Sequence, residues 1–174
     1  MAIISKTDKL SEVRKDADRL NAKAHTADEL MDRIAALLNE HMLKYNWVGF
    51  YMLEPRANPP MLALGRYRGA MTPHTRIPLN QGICGAAASS GKTVVVDDVK
   101  QDPRYLACSL ETKSEIVVPV LVNGVVAGEL DIDSHFPAAF GAEDRAMIEY
   151  MAQLVGRRLE KEQTTSASSR AAKS

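Results

Sequence analysis

Apolar residues recur at helical spacing in two stretches near the start of the chain. Leu10, Val13, Ala17 and Leu20 mark one face of a mixed-charge helix over Leu10–Lys23. In "HTADELMDRIAALLNEHML", Leu30, Ile34, Leu37, Leu38 and Met42 form a broader buried stripe. Thr26 followed by Glu29 has the spacing of a capping box, which starts a helix by satisfying unpaired backbone N–H groups. After Asn46 the period shortens. "WVGFYML", "MLALGRY" and "TRIPL" are β-prone runs punctuated by Pro and Gly. "QGICGAAASSG" predicts a short, closely packed helix that ends at Gly91. "KTVVVDDV" returns to strand, and "KQDPRYLACSLETKS" is a polar connection with one helical turn expected after Pro103. Two β-rich runs then flank Asn123-Gly124, the pair that supplies both positive φ values of a type I′ hairpin turn. A last helix carries Met147, Ile148, Met151, Leu154, Val155 and Leu159 on its apolar face. The polar "QTTSASSRAAKS" that follows predicts disorder over 163–174. Helices first and last, with antiparallel strands between, give an α+β fold on one central sheet, both terminal helices on one face.

Strand parity then sorts the polar residues, because side chains alternate faces along a strand. Glu129, Asp131 and Asp133 share one face, with Leu130 and Ile132 on the other. Trp47, Gly49 and Tyr51 lie opposite Val48 and Phe50, and Glu115 and Val117 lie opposite Ile116 and Val118. With the apolar faces turned to the helices, the other face gathers two aromatics and several acids. That combination suits a small cationic or zwitterionic ligand. Taken one at a time, the same features are commonplace: alternating acids are ordinarily a solvent face, a lone Trp is ordinarily a core anchor, and cysteines among small residues are ordinarily inert packing.

Composition excludes several classes of partner. Lys plus Arg equals Asp plus Glu at 22 each, so there is no charge footprint for nucleic acid or an anionic membrane. The start of the chain lacks a signal pattern and no apolar run reaches membrane-spanning length, which predicts a cytoplasmic protein. In that reducing setting a structural disulfide is not expected, and a bond between Cys84 and Cys108, the two cysteines, would be transient and catalytic. No His/Cys spacing fits a zinc site and no glycine-rich loop fits a phosphate, so neither metal nor cofactor is expected.

"WVGFY", "RIPLNQGICGAAASSGKTVVVDDV", "YLAC", "KSEIVVPV" and "GELDIDS" follow one another as in the free methionine-(R)-sulfoxide reductases, stand-alone GAF-domain enzymes that this chain resembles over roughly Trp47–Asp144. The resemblance implies a GAF domain over 25–162 after a helical extension over 1–24. It makes Cys108 the catalytic cysteine, Cys84 a resolving one, and Trp47, Tyr51, Glu115, Asp131 and Asp133 the lining of the substrate pocket. The implied reaction reduces free methionine sulfoxide: a Cys108 thiolate attacks sulfur while Glu115 or Asp133 protonates the oxygen, the remaining carboxylate charge holds the substrate ammonium, and Trp47 faces the S-methyl group. The sulfenic acid left on Cys108 condenses with a second thiol, and a thioredoxin-like dithiol restores the enzyme. Lys113, Arg104 and Arg76 are candidates for lowering the thiol pKa. The resemblance also admits a homodimer through the terminal helices. One departure bears on mechanism. His74 stands where the family has a further cysteine, so that either Cys84 resolves alone, an external thiol does so, or turnover is impaired. The competing readings are a non-catalytic GAF binding module and a thiol switch that senses oxidants.

Overall fold

A computed structural model describes residues 5–107 and 109–171. Cys108, the expected attacking thiol, therefore lies outside the described residues, as do the two chain ends.

Helix α1 (Lys6–Lys23) starts at Ser5, whose hydroxyl accepts from the Asp8 N–H. Helix α2 (Ala27–His41) starts at Thr26, whose hydroxyl accepts from the Glu29 N–H at 3.1 Å. The returning half of the expected capping box is displaced by one residue: the Glu29 carboxylate accepts from the N–H of His25, not from that of Thr26. Six strands follow: β1 (Trp47–Glu54), β2 (Met61–Arg68), β3 (Arg76–Pro78), β4 (Val94–Val96), β5 (Ser114–Val122) and β6 (Val125–Ser134). Helix α3 (Gly82–Ser90) lies between β3 and β4, and α4 (Ala142–Ala171) closes the chain. The strands form one sheet in the order β3-β2-β1-β6-β5-β4, and every neighbouring pair is antiparallel. Asn123 and Gly124 connect β5 to β6 with φ of 50° and 78°, the two positive values that the hairpin sequence predicts.

The sheet has two unlike faces. Val48, Phe50, Ile116, Val118, Leu130 and Ile132 pack against Leu30, Ile34 and Leu38 of α2 and Ile148, Met151 and Val155 of α4. Helix α1 is part of this core, since Leu10, Val13 and Ala17 are buried. The opposite face carries Trp47, Tyr51, Leu62 and Val117, covered by Ile83, Cys84, Ala87 and Ala88 of α3. The parity assignments made from sequence hold on β1, β5 and β6.

Two local expectations need correction. The helical turn after Pro103 lies before it, as a 3-10 turn at Val99–Gln101, where the Asp98 carboxylate accepts the Lys100 N–H at 3.0 Å. The segment expected to be disordered from residue 163 continues α4 as helix through Ala171. The physical reason is propagation: extending a packed helix adds one hydrogen bond per residue without a new nucleus. The hydroxyls of Thr164, Thr165, Ser168 and Ser169 turn inward to accompany it, each donating to the carbonyl four residues back.

Candidate functional site

Antiparallel register sets the acids. Asp133 of β6 pairs with Glu115 of β5 on one side and Trp47 of β1 on the other. One pleat further along, Asp131 pairs with Val117 and Gly49, and beyond it Glu129 pairs with Pro119 and Tyr51. These acids are not a solvent face. Glu115, Glu129, Asp131 and Asp133 are 5%, 0%, 2% and 4% exposed. Helix α3 and the connection between β4 and β5 cover that side, where most sheets with alternating acids meet water. Parity located the carboxyls but carried no information about their lid.

Cys84 projects from α3 onto this row. Its Sγ donates to Asp131 Oδ2 at 3.4 Å, and ligand atoms of Cys84, Glu115 and Asp131 all lie within 4.8 Å of one another. Neither oxygen of Glu129 has a hydrogen-bond partner, nor does Asp131 Oδ1. Burial is the main force on all of these groups, because it disfavours the charged form. It pushes the Asp131 carboxyl up to about 7, offset in part by the Cys84 hydrogen bond. Glu115 is raised well above the usual carboxylate range by burial and then by Asp131 and Asp133. Glu129 is raised well above it by burial, offset in part by the Cys84 thiol and added to by Asp131, and Asp133 is raised well above it by burial and then by Asp131. The Cys84 thiol is also pushed up, by burial first and then by Asp131, Glu129 and Glu115. The cluster thus holds protons at neutral pH and can give one to a basic oxygen. A thiol embedded in it stays a thiol.

Trp47 stands at one end of the row, with its ring stacked on Tyr67 at 5.7 Å and its Nε1 donating to the Ala70 carbonyl at 3.1 Å. Trp47 and Asp133 line a cavity of about 80 Å³ with Met71, Thr72, Glu111 and His135, and Glu115 is the cross-strand neighbour of Asp133. That volume holds a few water molecules. A roomier hollow of about 430 Å³ lies on the helix side, between the start of α1 and the end of α2, and contains none of the pocket acids. Tyr51, next to Glu129, donates its hydroxyl to the His74 carbonyl at 2.7 Å.

The chain just before Cys108 is tied to the same structure. His74 Nε2 lies 3.3 Å from the Ala107 carbonyl. Gly82, the first residue of α3, has φ +73°, and a Cβ there would come within 2.9 Å of Leu106 Cδ1. Leu106 therefore packs on the start of α3, the helix that carries Cys84, a contact that parity and motif order alone could not place. Of the cations proposed from sequence, Arg76 is paired with Glu54 and Arg104 with Asp102, while Lys113 is exposed. Gly82→Ala should destabilise the fold by about 1–3 kcal/mol in denaturant unfolding, through left-handed backbone strain and the Leu106 clash together.

The GAF domain family model matches residues 26–159. The free methionine-R-sulfoxide reductase of Escherichia coli is 32% identical over 152 residues, covering 87% of this chain and 89% of that protein. The structure of the free methionine-R-sulfoxide reductase from Neisseria meningitidis in complex with its substrate aligns with a TM-score of 0.86 at 33% identity, covering 95% of this chain and 96% of that one. A type II free methionine-R-sulfoxide reductase from Thermoplasma acidophilum aligns at 0.72 and 41% identity over 78% of this chain and 93% of that one. Among the described residues no helix is long and apolar enough to cross a membrane. The chain belongs to the free methionine-R-sulfoxide reductase family and is built on a GAF domain.

Proposed function

We propose that this chain reduces free methionine-(R)-sulfoxide to methionine, with Cys108 as attacking thiolate and Cys84 as the second thiol. The observation that carries this reading is the buried carboxyl row beside an aromatic mouth, in which burial raises Glu115 and Asp133 well above the usual carboxylate range. A sulfoxide sulfur is a poor electrophile until its oxygen is protonated, and a carboxylic acid with a raised pKa is suited to that task. The Glu115–Asp133 pair, nearest the mouth, supplies the proton. Asp131 supplies carboxylate charge for the substrate ammonium, and Trp47 and Tyr51 provide ring surface for its apolar part.

The electron count closes in two steps. The Cys108 sulfur attacks the sulfoxide sulfur, the protonated oxygen passes to Cys108, and methionine leaves reduced by two electrons. Cys108 is then a sulfenic acid. The Cys84 sulfur attacks it, forming the S–S bond and breaking the S–O bond. The thiol proton of Cys84 passes to Asp131, its hydrogen-bond acceptor in the resting protein, and hydroxide leaves as water with a proton from the same cluster. A thioredoxin-like dithiol reduces the disulfide and resets the site. With His74 at the place of the further family cysteine, Cys84 is the second thiol this sequence offers.

Turnover with a dithiol reductant tests the reading. Free L-methionine-(R)-sulfoxide should yield methionine, the (S) epimer should not, and Cys108→Ser should abolish the product. Binding of the (R) epimer without methionine formation, in folded and reduced protein, would leave a GAF binding module instead.

A further inference from the structure

On the helix side of the sheet, the start of α1 and the end of α2 border the hollow of about 430 Å³. Sites for small organic molecules span roughly 300–1,000 Å³, so its size fits such a ligand. Four basic side chains, Lys6, Lys9, His41 and Lys44, line it, and Asp144 is the one acid among the lining residues. The Asp144 carboxylate is fully engaged. Its Oδ1 accepts from the Tyr45 hydroxyl at 2.8 Å, and its Oδ2 accepts from the Gly141 N–H at 2.9 Å and pairs with Lys6. The other cations have no acid of their own. Among the described residues Lys9 and Lys44 form no ion pair, and Lys9 Nζ lies instead 3.5 Å from His41 Nδ1. Basic groups held this close, with no carboxylate between them, attract an anion. The rest of the wall is apolar. Met42, Tyr45 and Ala139 are buried, whereas Leu43 is 91% exposed.

We propose that this hollow is a second ligand site, which takes a small organic anion: a carboxylate carried on an apolar body. Lys9, His41 and Lys44 take the charge, and Met42, Leu43 and Tyr45 take the body. A bare inorganic anion would leave the apolar wall, Leu43 above all, against water. A neutral apolar molecule would cover the cations without pairing them, which costs free energy. The site shares no lining residue with the Trp47 cavity and contains none of the buried acids on the far face of the sheet. It is therefore independent of the cysteine chemistry, and the proposal goes beyond that reading.

The test is calorimetric titration of the full chain at low salt with three probes. Naphthalene-2-carboxylate has both charge and body, naphthalene-2-carboxamide has the body alone, and acetate has the charge alone. The naphthoate should bind once per chain with a Kd of about 1 mM or below. The carboxamide and acetate should each bind about tenfold more weakly or worse. Lys9→Gln/Lys44→Gln should weaken the naphthoate by about tenfold or more, while Lys15→Gln/Lys161→Gln, which removes two charges outside the hollow, should leave its Kd unchanged. Lys44 is exposed and Lys9 half-buried, and circular dichroism checks that both double variants are folded. Should the double variant not fold, Lys44→Gln alone carries the test, with a loss of about threefold or more expected. Three results would overturn the proposal: no saturable naphthoate binding, equal affinity in the Lys9/Lys44 and Lys15/Lys161 variants, or a carboxamide that binds as tightly as the naphthoate. An affinity that falls as protein concentration rises would also overturn it, since a second copy of the chain would then cover the hollow. None of these readings uses methionine sulfoxide or either cysteine, so failure here leaves the proposed reaction standing, and an inactive enzyme leaves the titration interpretable.

Discussion

Glu115→Gln should lower the first-turnover rate of methionine formation by about 10²- to 10⁴-fold, the range in which a positioned general acid acts. Asp133→Asn should do the same. The two residues face one another across β5 and β6, and both are buried. They are raised together, Glu115 by burial and by the charges of Asp131 and Asp133, so that one proton belongs to the pair and not to either member. The double variant should therefore be little worse than the poorer single one, as for other residues that act as a unit. In the unmodified protein the first-turnover rate should fall as pH rises and the pair gives up its proton, and in Glu115→Gln this alkaline limb should be lost. Stopped-flow quenching with methionine quantification reads both effects. Strict multiplication of the single losses in the double variant would mean that the acids do separate work.

Stability should fall as pH rises from mildly acid through neutral, against the usual expectation for buried carboxylates in ion pairs. The direction follows from linkage. Glu115, Glu129, Asp131 and Asp133 have folded pKa values above their unfolded ones. Below the unfolded values both states are protonated and the stabilising difference is fully present. As pH rises, the unfolded chain ionises first while the fold keeps its protons, and the difference is lost progressively until each group ionises in the fold, near pH 7 for Asp131. Each carboxyl that stays protonated across this window removes about 1.4 kcal/mol per pH unit. Asp131→Asn and Glu129→Gln should each flatten the profile and raise stability at pH 8 relative to the parent. Urea unfolding followed by the fluorescence of Trp47, the single tryptophan, measures it. A stability that rises from pH 5 to 8 would contradict the protonated cluster.

Much of this was legible in the sequence for a definite reason. Residues 129 to 133 alternate acid and aliphatic side chains, so once Leu130 and Ile132 are given to the helices the acids must face the other way. The Asn123-Gly124 turn located the hairpin, but its register alone would set Glu115 opposite Ile132; an irregularity between Val120 and Leu121, which no local pattern announces, shifts the pairing by one residue and brings Asp133 opposite Glu115. Motif order carried the family. Burial of the acids was not legible, because it depends on α3 folding back over the sheet, a long-range contact that no local period encodes. The same holds for the Cys84–Asp131 hydrogen bond and for Leu106 on Gly82, each made between segments far apart in sequence. The tail was misread because a Ser/Thr-rich composition speaks for disorder in an isolated segment, and not in one that continues a packed helix.

The most direct test of the account is a single turnover of fully reduced protein with free L-methionine-(R)-sulfoxide, counting methionine formed and thiols lost. The account predicts one methionine and two thiols lost per chain, with product abolished in Cys108→Ser. In Cys84→Ser, methionine should still form and one thiol should be lost. Full methionine formation in Cys108→Ser, or one thiol lost per methionine in the unmodified protein, would contradict the assignment of the two cysteines.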